Sequence, residues 1–193
     1  MRYKLLLIPA LIFVGILFNS CKKSGDTVTG PSDENNLIVN SSFESNGKAS
    51  LQGWNVGWWE TEMVHSAHDA PPGGGSWSVE IDNGTFTSGN QIWFTVHPHA
   101  GHHVYKFSFW GRYDAGNLQL GSCQGGVLLW LHNNTDRYGS YTKIDTTIWE
   151  MYTIFDTLDT YQGDSIPVEL DGCVDGPTSA KTYFDLCRLE VLN

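Results

Sequence analysis

Positive charge is scarce in this 193-residue sequence: 11 Lys and Arg stand against 21 Asp and Glu, a formal net charge of −10. An acidic chain without a basic stripe is a poor candidate for binding nucleic acid. Long apolar runs are also lacking. The one extended run, Leu5 to Phe18, is interrupted by Pro9 and is too short to span a bilayer comfortably. No G-x-S-x-G, H-E-x-x-H or phosphate-binding loop occurs anywhere. Glycosidic hydrolysis needs two carboxylates across a cleft, and same-parity pairs such as Glu60 with Glu62 or Glu80 with Asp82 are too commonplace to indicate one. The sequence therefore gives no reason to expect an enzyme. Finally, almost nothing from Leu37 onward follows the period of a helix.

What is present begins with a leader. Met1-Arg2-Tyr3-Lys4 precedes the apolar run, which reads as the hydrophobic region of a signal peptide spanning residues 1–20. Leu17-Phe18-Asn19-Ser20-Cys21 then resembles the lipobox of bacterial lipoproteins, with Phe18 where a smaller aliphatic is usual. That resemblance implies lipidation at Cys21 and a place in the bacterial cell envelope, lipid-anchored and expected at the outer membrane, facing either the periplasm or the surface. The alternative is an ordinary secreted protein cut near Ser20. Residues 21–36 are polar and hold a single Val, as a flexible tether does, and fully extended such a segment reaches roughly 50 Å. Loss of residues 1–20 removes Arg2 and Lys4, leaving 9 basic against 21 acidic residues, a net of −12. Residues 37–193 then make one domain of ordinary size. The membrane is a partner only through the anchor, and the oligomeric state is open.

Within that domain, short alternating segments are separated by Gly, Asn, Asp and Pro clusters, the pattern of an all-β, antiparallel sandwich or jelly roll. The clearest is Val104 to Arg112. Tyr105, Phe107 and Phe109 share one parity; Lys106, Ser108, Trp110 and Arg112 share the other. The first set belongs in a core, and the second shows a large aromatic among hydrogen-bonding groups. Similar alternation places Val79 and Ile81 against Glu80, and Ile92, Phe94 and Val96 against Trp93. Val127, Leu129 and Leu131 alternate with Trp130 and His132, and Ile166, Val168 and Leu170 with Glu169. Thr182 to Leu192 closes the domain, while Pro167 marks a strand that lies at an edge or begins there. Of the cysteines, Cys123, Cys173 and Cys187 remain after Cys21, so at most one intramolecular disulfide can form. Cys173 and Cys187 flank the last hairpin and are the expected pair.

A family resemblance runs through residues 37 to 191. Asn40-Ser41-Ser42-Phe43-Glu44, Gly53-Trp54, Gly75-Ser76-Trp77-Ser78-Val79, the Tyr105-to-Arg112 block, Trp149 with Tyr152, and Tyr183-Phe184-Asp185-Leu186-Cys187-Arg188-Leu189 resemble, in order, the motifs of galactose-binding-like jelly rolls. Carbohydrate-binding modules of the family 4/9 type are the particular likeness. Leu186 replaces an acid of the last motif, and Pro98-His99-Ala100-Gly101 stands where Pro-Gly is usual. The resemblance implies a non-catalytic glycan-binding domain with a concave sheet face as its groove. Its ligand-binding residues are then Trp93, Trp110, Arg112, Trp130 and His132: aromatics stack on the apolar patch of a pyranose, and Arg112, His132 and Asn133 orient it by hydrogen bonds. It also implies a structural calcium ion (Ca2+) held in part by Glu44 and Asp185; the alternative is that these acids cap turns or pair with Arg188.

Other readings of the same residues stay open. The outward tryptophans can pack beneath the loop from Asn55 to Asp69, which carries Trp58 and Trp59. His97, His99, His102 and His103 crowd one segment and suit zinc or copper, or simply a polar hairpin loop. In function, the alternative to glycan binding is an adhesion or assembly domain that binds a protein partner. A glycoside hydrolase is a more remote one.

Overall fold

The computed structural model describes residues 35–57, 64–82, 91–114, 126–133, 136–172 and 181–192. The leader, Cys21, all but the end of the tether, Trp58, Trp59, Cys123 and Cys173 lie outside them. The described residues contain twelve strands: β1 (Glu44–Ser45), β2 (Lys48–Ala49), β3 (Asn55–Val56), β4 (Val64–Ala67), β5 (Ser78–Asp82), β6 (Gln91–Val96), β7 (Gly101–Asp114), β8 (Gly126–Asn133), β9 (Asp136–Lys143), β10 (Glu150–Thr160), β11 (Ile166–Asp171) and β12 (Lys181–Val191). Two five-stranded antiparallel sheets, in the orders β10-β7-β12-β5-β4 and β3-β6-β11-β8-β9, share one apolar core, and β1-β2 is a separate hairpin. The all-β sandwich read from the alternation is the fold observed.

Strand β7 is the spine of the first sheet. Its Tyr105, Phe107 and Phe109 are buried, and Phe109 stacks between Phe107 and Tyr152, each with ring centroids 5.4 Å away. Burying a side chain of this size contributes about 1.5–3 kcal/mol. Gly111 leaves room in the inward series for Ile144: a Cβ on it would stand 2.8 Å from Cδ1 of that residue. From the second sheet, Ile92, Phe94, Val127, Leu129, Ile166, Val168 and Leu170 complete the core. Trp54 packs there too, against Phe43 and Phe94.

Several expectations are corrected. Strand β7 begins at Gly101, so His102 and His103 are strand residues and not part of a loop. Strand β11 lies inside its sheet, between β6 and β8, so of the two readings of Pro167 the edge strand is excluded and the strand start holds, β11 beginning at Ile166. Pro167 is tolerated because pairing with β8 begins only at Val168, leaving the proline locally at an edge. Cys187 is a free, buried thiol, and its expected disulfide partner Cys173 lies outside the described residues. A break in β12 decides where Cys187 points. Register with β7 shifts between Asp185 and Arg188, with Leu186 at φ 50°. Beyond that bulge Cys187 points into the apolar core, where burial, and secondarily the nearby Asp185, hold the thiol protonated.

Candidate ligand-binding faces

The sheet order divides the residues expected to form one platform. Trp110 and Arg112 belong to β7 in the first sheet; Trp93 belongs to β6, and Trp130 and His132 to β8, in the second. Alternation within a strand does not reveal which sheet the strand joins, so a single face carrying all five is not what forms.

On the first sheet, Arg112 is already occupied. Its Nε donates to Oδ2 of Asp69 at 3.1 Å and its Nη2 donates to the same oxygen. Its guanidinium lies 3.8 Å over the Tyr183 ring and 5.4 Å from that of Trp149, whose indole N–H also reaches Asp69. The arginine thus fastens the segment that follows β4 to the sheet through Asp69. Burial raises the Tyr183 phenol to about 12, with Glu80 adding to the shift, so it stays protonated at ordinary pH. Half-buried Trp110 stands opposite Met151 on one side and Asp185 on the other.

Further along β12, Asp185 lies within reach of the Glu44 charge. Asp185 is fully buried; its Oδ1 accepts the Leu186 N–H at 2.7 Å, and its Oδ2 has no hydrogen-bond partner. Burial, and secondarily the charge of Glu44, raise its pKa to about 8. The Glu44 carboxylate is held from the other side, its Oε2 accepting the N–H groups of Ser76 and Trp77 at 2.8 and 3.2 Å. Gly74 and Gly75 press against the pair: a Cβ on Gly74 would overlap Asp185, and one on Gly75, at φ 56°, would overlap Glu44. A bare buried carboxylate oxygen facing a second carboxylate suits a hard cation. The two acids fit calcium as part of a shell that backbone carbonyls would have to complete. Neither pairs with Arg188, which bonds to Glu190.

The second sheet presents a different surface. Cross-strand register sets Asn55 opposite Trp93, Trp93 opposite Glu169, Glu169 opposite Leu128, and Leu128 opposite Tyr141. These residues alternate with the buried core set, so one row crosses the whole outward face of the sheet. Trp93 and Glu169 are half-buried and Tyr141 is 46% exposed. Burial, helped by the Asp171 carboxylate, raises the Tyr141 phenol above its ordinary value. Trp130 and His132 occupy neighbouring positions of the same sheet, in register with Gly139 and Arg137. Glu169 was visible in the sequence only as the polar member of an alternation. Tyr141 was not visible at all, because Ser140, Thr142 and Lys143 around it give β9 no apolar face.

Among the histidines, His102 Nδ1 lies 2.6 Å from Asp159, while the ring nitrogens of His103 are shielded and unpartnered. Among the described residues no three His, Cys, Asp or Glu side chains converge on one metal position.

No family model and no curated protein matches the chain. Solved structures do. A family 16 carbohydrate-binding module is similar at TM-score 0.58 and 21% identity, over 80% of this chain and 99% of that one. The xylan-binding domain CBM22-1 of Paenibacillus barcinonensis Xyn10C matches at TM-score 0.57 and 14% identity, over 82% and 96%. A family 61 module, solved with β-1,4-galactotriose, matches at TM-score 0.52 and 15% identity, over 82% and 99%. The chain also matches 22% of the bacteriophage CBA120 tailspike protein 4 enzymatically active domain, at TM-score 0.57. The fold is thus the jelly roll of carbohydrate-binding modules, as the motif resemblance implied.

Proposed function

We propose that this protein binds glycan without cleaving it, through the outward face of the β3-β6-β11-β8-β9 sheet. The observation that carries this reading is the Trp93–Glu169–Leu128–Tyr141 row, which puts two aromatic rings and a carboxylate on one face. Rings of this kind stack on the C–H faces of pyranoses while acids and amides fix hydroxyl groups. The likeness to modules described as binding xylan or solved with galactotriose supports the same reading. Trp130 and His132 belong to this surface by strand. Arg112 serves the fold, tying the Asp69 loop down, and Trp110 lies on the opposite sheet. Cys21 as a lipid anchor, with residues 21–36 as tether, would hold the domain at the cell envelope. Calcium at Glu44 and Asp185 would act as a stabiliser, supplying positive charge to two otherwise repelling carboxylates.

Affinity electrophoresis against a panel of plant, fungal and bacterial polysaccharides tests the binding. Retardation by at least one glycan, abolished in Trp93→Ala and kept in Thr157→Ala on the other sheet, is the expected result. No retardation by any glycan, with co-purification of a protein partner, favours an adhesion domain instead. Release of reducing sugar would point to hydrolysis.

A further inference from the structure

Residues 68–77 join β4 to β5, which are paired up to Ala67 and Ser78. The rings of His68 and Trp77 meet with centroids 5.0 Å apart, so the segment starts and finishes at one place and has the form of an Ω-loop. Its middle reads Pro71-Pro72-Gly73-Gly74-Gly75. Pro71 and Gly74 are buried and joined by the Gly74 N–H, which donates to the Pro71 carbonyl at 2.9 Å, while Pro72, Gly73 and Gly75 are exposed. Gly73, at φ 87°, and Gly75, at φ 56°, hold backbone conformations that side chains disfavour, so the tip has little to anchor it but its backbone. That backbone lies directly on the acid pair, because a Cβ on Gly74 or Gly75 would overlap Asp185 or Glu44. Asp185 is fully buried, so a cation reaches its bare Oδ2 only when the cover moves.

Two fastenings hold the cover down. Glu44 takes the N–H groups of Ser76 and Trp77, but it is itself one of the acids. Asp69 is the other. Its Oδ2 accepts from Arg112 and its Oδ1 from the Trp149 indole N–H at 3.4 Å, while the stack on Tyr183 fixes the guanidinium to the sheet. Asp69 does not converge with Glu44 and Asp185 on one metal position. Resting on the calcium reading above, we infer that residues 68–77 are a gate over the cation site and that the Asp69–Arg112 pair is its latch. The latch sets how fast calcium enters and leaves without touching the ion. Since the same cover must lift in both directions, it slows entry and exit alike and leaves the equilibrium affinity nearly unchanged.

Stopped-flow mixing of the calcium-loaded full chain with a fluorescent chelator measures exit, and mixing metal-free protein with calcium measures entry. Asp69→Ala should speed both about tenfold, the size of effect expected from losing a charge-assisted hydrogen bond, with Kd nearly unchanged. Arg112→Lys should act in the same direction and add little to Asp69→Ala. Asp164→Ala, which removes an equal charge from the Tyr161 turn, should match the wild type. In chelator, hydrogen exchange at the Gly74, Ser76 and Trp77 amides should quicken in Asp69→Ala, while the Tyr113 and Leu189 amides keep their protection. General loss of protection would mark a damaged fold, and Arg112→Lys then decides. Unchanged rates, or weaker affinity with entry unaltered, would overturn the gate while calcium binding stands. A wild type that takes up no calcium ends the calcium reading and the gate together.

Discussion

Asp185 is an acid sealed inside the protein with one oxygen bonded to a backbone N–H and the other to nothing. In the metal-free protein its folded pKa of about 8 lies far above the ordinary carboxylate value, so the folded state binds its proton more tightly than the unfolded chain does. The stability this supplies is full below roughly pH 4 and is lost as pH rises through the folded value. With chelator present, the melting temperature should fall between pH 5 and pH 8. Asp185→Asn should flatten that slope. Adding calcium at pH 8 should raise the melting temperature of the wild type and leave Asp185→Asn unmoved; a wild type indifferent to both chelator and calcium would rule out the ion. The adjoining glycines make a separate expectation. Gly74→Ala forces a Cβ into Asp185 and Pro71, and overpacking of this kind costs about 1–3 kcal/mol, measurable by chemical denaturation.

Among the elements, β7 shows how far alternation reaches. Tyr105, Phe107 and Phe109 could be assigned to the core from parity alone, because no other period separates three aromatics from Lys106, Ser108 and Trp110. Phe109→Ala should cost about 3–5 kcal/mol in denaturant unfolding, since the cavity lies between two stacked rings that the sheet backbone holds apart. What parity cannot supply is the partner of a strand. Trp93 and Trp110 have the same local signature, yet hydrogen bonding places them on opposite sides of the sandwich. Nor does it foresee a bulge: β12 is a single alternating run on paper, and the break at Leu186 decides where Asp185 and Cys187 point. Strands β9 and β10 were hard to read for another reason. Their outward positions include exposed Met151 and Phe155, so apolar residues on β10 do not mark one face only. Arg112→Lys belongs to this scale as well. It removes the planar stack on Tyr183 and the forked contact with Asp69, and should lower stability by about 1–2 kcal/mol while leaving glycan retention unchanged.

For the molecule as a whole, the two sheets divide the labour. One carries the acid pair, the arginine clamp and the loop that covers them; the other keeps an open row of rings. The chain enters the first of these sheets at Asn36, whose side-chain amide donates to the Cys187 carbonyl at 3.1 Å while its oxygen accepts the N–H groups of Ile38 and Leu189, each at 3.0 Å. Leu37 adds a backbone bond to Leu189 at 2.9 Å. This junction has a mechanical meaning. Were the residues before 35 to tether the domain and a glycan to be held on the far sheet, a pull between them would first meet the three bonds that join Asn36 and Leu37 to β12. Asn36 would then be the fastening through which tension between a tethered end and a captured polymer enters the domain, and the load would arrive at the strand in the middle of its sheet, where a neighbour on each side shares it.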